Sequence, residues 1–133
     1  MLKLDVGCAN RPKGDVNVDL FIRKPNPHIE NQLIEPSIIP NFVLADACHL
    51  PFSGKCFDQV FSSHLIEHVD DPYLLLRELI RVSSKVTEIY TPHRFYKMGN
   101  PIHKCHFTQT WFNKALKKIG CENFVTEIPT DLI

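Results

Sequence analysis

The chain has 133 residues, the size of one ordinary domain, and at that length roughly two-thirds of the extended chain's surface is buried on folding, enough for a core without disulfide or metal staples. Hydrophobic residues make up 44% and charged residues 23%, which excludes wholesale disorder. Fifteen acidic side chains balance fifteen basic ones, which argues against a broad phosphate-neutralising surface, so no nucleic-acid partner is expected.

No run approaches the roughly 18 apolar residues of a membrane span. The opening Met1-Leu2-Lys3-Leu4-Asp5 lacks the long apolar core of a secretory leader and reads as a buried strand, so a cytoplasmic protein without a membrane partner is expected. The five cysteines (Cys8, Cys48, Cys56, Cys105, Cys121) include no Cys-x-x-Cys pair. They read as small buried hydrophobes, and no metal site is expected.

In chain order, Leu2 to Val6 is a short apolar strand stopped by Gly7, and Asp15 to Leu20 alternates as a second strand. The connection from Gly7 to Gly14 carries Pro12 and two glycines, which disfavours a helix there. Phe21 to Asn41 is broken by Pro25, Pro27, Pro36 and Pro40 and reads as loop, with room for a turn or two of helix around Ile29 to Ile34. Asn41 to Ala45 is a third strand ending at Asp46, and Phe57 to Ser62 a fourth. Asp71-Pro72 opens a helix with an aspartate cap and a proline at the first turn. Leu75, Leu76, Leu79, Ile80 and Val82 form its buried stripe, and Ser83-Ser84 ends it. Val86 to Tyr90 is a fifth strand. A second helix runs from a Thr108 cap to Ile119, with Gly120 as its stop and Phe112, Leu116 and Ile119 as its buried face. Cys121 to Ile128 reads as a final strand. The alternation implies a single α/β domain over residues 1–133, a mainly parallel twisted sheet with helices on its faces.

In open α/β sheets, ligands bind beyond the carboxyl ends of the strands, where strand order reverses. Those ends carry Asp5-Val6-Gly7-Cys8-Ala9-Asn10, Asp19, Asp46 and Ser62-Ser63-His64. Gly7 permits close backbone approach. Asp19 suits two neighbouring ribose hydroxyls, Asp46 suits an exocyclic adenine amine, and backbone groups of Gly7 to Asn10, with Arg11, suit an amino-acid carboxylate. Each acid alone is an ordinary loop cap; several at successive strand ends, with a glycine after the first, form a pattern.

The segments Leu4-Asp-Val-Gly-Cys8, Val16-Asn-Val-Asp-Leu20, Ala45-Asp-Ala-Cys-His-Leu-Pro-Phe52 and Phe57-Asp-Gln-Val-Phe-Ser-Ser-His-Leu-Ile-Glu-His-Val-Asp-Asp-Pro72 resemble class I S-adenosylmethionine-dependent methyltransferases of the small-molecule type. Arg77 to Val82, Tyr90-Thr91-Pro92-His93 and His106-Phe107-Thr108 continue the likeness, which spans residues 2 to 125. The resemblance implies a Rossmann-like methyltransferase fold, S-adenosylmethionine as cofactor and methyl transfer to a small-molecule acceptor. It places Asp5, Gly7, Cys8, Ala9 and Asn10 near the methionine part, Asp19 and Leu20 at the ribose, Asp46 and Ala47 at the adenine, and Ser63 and His64 beside the methyl donor. His68, His93, Tyr96 and His106 fall in the acceptor region; the resemblance names no catalytic base. The chain departs from the family in four ways: Ala9 replaces the second glycine, where it fits only with a negative φ; the helix between the first two strands is absent; so is the covering N-terminal helix; and Ser83-Ser84-Lys85 replaces a Pro-Gly-Gly turn. A shortened form of the fold follows, with a homodimer as one way to complete it.

Two other readings compete. The departures fit a non-catalytic binding module on the same fold. His64-Leu-Ile-Glu67-His68 also matches a zinc-hydrolase pattern, whose histidines share a face only on a helix, and which needs a third ligand such as His103, Cys105 or His106.

Overall fold

A computed structural model describes residues 1–9, 11–20, 35–91 and 107–126. Five parallel strands form one sheet: β1 (Lys3–Val6), β2 (Val16–Asp19), β3 (Phe42–Leu44), β4 (Phe57–Ser63) and β5 (Ser83–Tyr90), in the order β3-β2-β1-β4-β5. Two helices, α1 (Pro72–Val82) and α2 (Gln109–Lys118), accompany it, with short 3₁₀ turns at Pro36–Ile38 and Ile66–His68. The chain runs outward from β1 to β3, then returns to the other side of β1 with β4. The strand order therefore reverses between β1 and β4.

Register decides which side chains share a face. Leu4 pairs with Val16 and Val60, and Val6 with Val18 and Ser62, so these residues line one side of the sheet. Leu4, Val6, Val18 and Val60 join Leu75, Leu76, Leu79 and Val82 of α1, and Ala115 and Leu116 of α2, in a single core cluster. Burying a leucine of this kind contributes about 1.5–3 kcal/mol. The opposite side carries Asp5 beside Asn17 and Phe61. It is polar and aromatic: Lys3 and Lys13 both place their ammonium about 5 Å from the Phe61 ring, at 5.0 and 4.9 Å.

Both helix starts follow from the sequence. The Asp71 carboxylate accepts from Leu74 N at 3.0 Å, ahead of Pro72, and the Thr108 hydroxyl accepts from Trp111 N at 3.1 Å. Gly120, at φ +84°, takes the left-handed conformation that ends α2.

Three expectations change. Ser83 does end α1, but it also begins β5, three residues before the apolar stretch, because Phe57 of β4 pairs with Ser83. Residues 121–126 form no strand. Thr126 instead folds onto α2, its hydroxyl donating to Asn113 Oδ1 at 2.9 Å and its carbonyl accepting from Gln109 Nε2 at 2.7 Å, while Val125 stays 82% exposed. The buried face of α2 is centred on Ala115 and Leu116, with Phe112 and Ile119 half-buried at its sides. The helical turn considered around Ile29 to Ile34 lies outside the described residues.

Candidate functional site

The carboxyl edge of the sheet, at the β1/β4 reversal, gathers the residues singled out from sequence. Asp19 closes β2, and the Ala45 N–H donates to its carbonyl across to the β3 side at 3.2 Å. Asp46 follows directly, so the two carboxylates stand at the tips of neighbouring parallel strands. Gly7 follows β1, while Ser63 ends the parallel β4 and His64 follows it.

Both acids also serve their own loops. Asp19 Oδ2 accepts from Ala9 N at 2.9 Å and Oδ1 from Leu20 N at 2.7 Å. Asp46 Oδ1 accepts from Cys48 N at 2.9 Å, and Oδ2 lies 3.5 Å from His49 Nδ1. A carboxylate oxygen has two lone pairs and can accept more than one hydrogen bond. Asp46 and Leu20 are exposed, and Asp19, Ala47 and Ser63 half-buried.

The turn after β1 differs from expectation in three respects. Gly7 has φ +80°, which explains the glycine, but the space its side chain would fill is taken by Leu65, whose Cδ2 would lie 3.2 Å from an added Cβ. The Gly7 and Cys8 N–H groups both donate to Val18 O, at 2.8 and 3.1 Å, so with Ala9 N–H on Asp19 these amides are engaged inside the protein. Ala9 has φ +47°, where a negative value was expected; its amide is drawn to Asp19, and the alanine bears the left-handed strain that a glycine would avoid. Asn10 lies outside the described residues, as do the acceptor-pocket candidates His93, Tyr96 and His106.

Asp5 is 2% exposed and accepts from Lys13 N at 2.9 Å. Burial pushes its carboxyl above the usual aspartate range; the Lys13 N–H and the Lys13 and Lys3 charges oppose this, and Asp19 adds to it. Burial, reinforced by Asp19 and Asp5, pushes the Cys8 thiol up to about 12. Burial, reinforced by Asp46 and its acidic neighbours, raises Cys48 to about 11. Neither is a thiolate nucleophile at neutral pH.

Beyond His64 the chain turns sharply through Ile66–His68 and buries Glu67 to 1% exposure. Glu67 Oε2 accepts from the Thr91 hydroxyl at 3.1 Å, and Oε1 faces His64 Nδ1 at 3.6 Å and His68 Nε2 at 3.8 Å. This turn is not the helix that a zinc-hydrolase motif requires, and among the described residues no group of three or more His, Cys, Asp or Glu side chains is placed to hold a metal ion. Sequence reasoning gave Glu67, Leu65 and Thr91 no place in the cofactor site, although all three lie in the segments that carry the family likeness. The His64-Leu-Ile-Glu67-His68 motif drew attention to Glu67, but nothing in the sequence marked what Leu65 and Thr91 would touch.

An all-parallel sheet in the order 3-2-1-4-5, with acids at successive tips around the reversal, is the core of a Rossmann-like methyltransferase fold in shortened form. The model of the family described as methyltransferase domain matches residues 22–86. Ajmaline N-methyltransferase of Rauvolfia serpentina is 30% identical over 80 residues, covering 60% of this chain and 27% of that protein. Among solved structures, a SAM-dependent methyltransferase of Thermotoga maritima superposes with TM-score 0.63 at 20% identity, covering 90% of this chain and 63% of that one. A SAM-dependent methyltransferase of Archaeoglobus fulgidus gives 0.59 at 22% identity, covering 89% and 59%. In sequence over residues 22–86 and in fold over most of its length, the chain is similar to S-adenosylmethionine-dependent methyltransferases. It spans about a quarter of the length of the curated relative, 27%. None of its described helices is long and apolar enough to cross a membrane.

Proposed function

We propose that the chain binds S-adenosylmethionine along the carboxyl edge of its sheet and transfers the methyl group to a small-molecule acceptor. The observation that carries this reading is the pair of carboxylates, Asp19 and Asp46, on adjacent strand tips beside the Gly7 turn. In the proposed complex Asp19 and Leu20 meet the ribose, Asp46 and Ala47 the adenine, and Ser63 and His64 the sulfonium side. The Gly7-to-Asn10 turn and Asp5 lie near the methionine part; because Asp5 is covered and the described amides are engaged, they support the turn's shape rather than contact the ligand directly. The cofactor supplies an electrophilic methyl carbon, already activated by the positive sulfur. The protein's own task is to align the nucleophile and exclude water. The N-methyltransferase name of the Rauvolfia relative is consistent with a small acceptor.

Isothermal titration of the whole chain with S-adenosylhomocysteine tests this. Binding is expected, and Asp19→Ala should weaken it by about tenfold or more, the worth of a lost hydrogen-bonded ribose contact. No heat at millimolar ligand sinks the reading. A second reading, a non-catalytic module, is favoured by the Leu65 side chain seated on Gly7. It predicts no melting-temperature rise with the same ligand.

A further inference from the structure

We propose that His64 takes the proton released by the methyl acceptor, that Glu67 is its positioning residue, and that the acceptor therefore carries a proton on its nucleophilic atom, as an amine or a hydroxyl compound does. This rests on the methyl-transfer reading and deepens it. His64 stands where β4 ends, next to the β1 turn, its N–H donating to Tyr90 O at 2.8 Å. Its φ is +54°, a left-handed conformation that strains a non-glycine residue. The surrounding hydrogen bonds hold it there, and the imidazole emerges 64% exposed on the edge assigned to the methyl donor.

Behind the ring lies a carboxylate that solvent does not reach. Taking a carboxylate out of water costs several kcal/mol unless charge and hydrogen bonds meet it. Glu67 is met on Oε2 by Thr91, at the end of β5, and on Oε1 by the two imidazoles. A carboxylate facing one ring nitrogen favours the hydrogen on that nitrogen, so Nδ1 of His64 carries it and Nε2 keeps its lone pair. The 3.6 Å separation is ion-pair rather than hydrogen-bond distance, and such contacts tighten when a reacting complex forms. His68 is the inner partner, its side chain 24% exposed and its Nε2 turned toward Glu67. That geometry makes His68 part of the support and leaves His64 as the group facing outward.

The chemistry then balances. The acceptor's nitrogen or oxygen lone pair attacks the methyl carbon; the carbon–sulfur bond breaks with its electrons going to sulfur, which becomes a neutral thioether. The new bond leaves a surplus proton on the nucleophile, which passes to His64 Nε2. The positive charge lost by the sulfonium ends on an imidazolium that faces Glu67. A nucleophile without a proton to give has no use for this pair.

The test combines two readouts on the intact chain. Nitrogen-15 NMR of the histidine rings reports the tautomer: His64 should be the Nδ1–H form, and Glu67→Gln should shift it toward the Nε2–H form usual for free histidine. Diethyl pyrocarbonate, which acylates an unprotonated ring nitrogen, should modify His64 about tenfold more slowly with saturating S-adenosylhomocysteine, as expected of a group shielded by bound ligand. If the ligand binds by calorimetry but His64 is the Nε2–H form, or is modified at an unchanged rate, the inference fails while the methyl-transfer reading stands. If the ligand does not bind, that reading fails first and the base role goes with it. The tautomer of the unmodified protein decides the matter even if Glu67→Gln does not fold, and Thr91→Val, which removes the anchor on Oε2, serves as a milder second variant.

Discussion

The two halves of the sheet are held by different forces. From β4 onward, α1 and α2 press apolar side chains onto the strands, and four of them (Leu75, Leu76, Leu79 and Val82 of α1) are wholly excluded from solvent. Around β1, β2 and β3, the described residues supply no α-helix between strands, and polar side chains tie the loops instead. Asn17, fully buried, accepts from Gly14 N at 2.9 Å and donates to Gly14 O and Pro40 O at 3.0 and 2.7 Å. Asp15 Oδ2 accepts from Lys3 N at 2.8 Å, and the Asn41 amide donates to Asp15 O at 2.8 Å. Short polar side chains bonding to nearby backbone are the usual alternative to a helix. The connection of nine residues between β1 and β2, 7–15, is too short for a crossover helix, and this chain replaces one with aspartate and asparagine.

Breaking each half separately measures the contrast. The largest loss is expected from Leu79→Ala, about 2–5 kcal/mol in chemical denaturation, because it empties the α1 core. Asn17→Ala should cost about 2–3 kcal/mol, since it removes three bonds and leaves buried backbone groups without partners. A loss below about 0.5 kcal/mol would mean that the polar ties do not hold the first half.

Acidity sharpens the comparison, because one carboxylate in each half responds with opposite sign. Glu78, on α1, is held below the usual glutamate range by the Arg81 side-chain hydrogen bond and by Leu50 N, which donates to it at 2.9 Å. Its stabilisation is present above the unfolded-state pKa and is lost as pH falls through the lower folded value. Asp5 is raised by burial, so it opposes folding once ionised and that penalty disappears on acidification. Denaturation from pH 7 down to about pH 3 should therefore show Glu78→Gln converging on the parent protein from below, and Asp5→Asn converging from above. Asp5→Asn that is no more stable than the parent at neutral pH would show that Lys13 and Lys3 offset the burial completely. The smallest effect is expected at Ala9→Gly: relief of left-handed strain nearly cancels the added freedom of the unfolded chain, for a gain under about 0.5 kcal/mol in thermal melts.

Legibility in the sequence follows the same division. The strands, both helix caps and the Gly120 stop were readable because each rests on local chemistry: apolar runs, an oxygen before a helix, a glycine at positive φ. The placing of Asp19 and Asp46 on one edge was readable because parallel strands put all their carboxyl ends together. What escaped depends on distant partners. Ser83 is a strand residue because Phe57 lies beside it, Leu65 occupies the hollow of Gly7 across the reversal, and Glu67 is buried because Thr91 and two histidines receive it. The tail beyond Gly120 looked like a strand by composition, yet Gln109 and Asn113 of α2 claim its polar groups.

The central position of β1 has a consequence for when the edge becomes competent. Lys3 must wait for Gln59, and Val6 for Ser62, more than fifty positions along the chain, before its second side is paired. Pairings over such separations form late, since a long loop must close before they return any free energy. Until β4 docks, Gly7 has no Leu65 against it and Asp19 has no finished wall beside it. A nascent or partly unfolded chain thus lacks the assembled edge proposed for the nucleoside, and binding of S-adenosylhomocysteine would report that the two halves have already met.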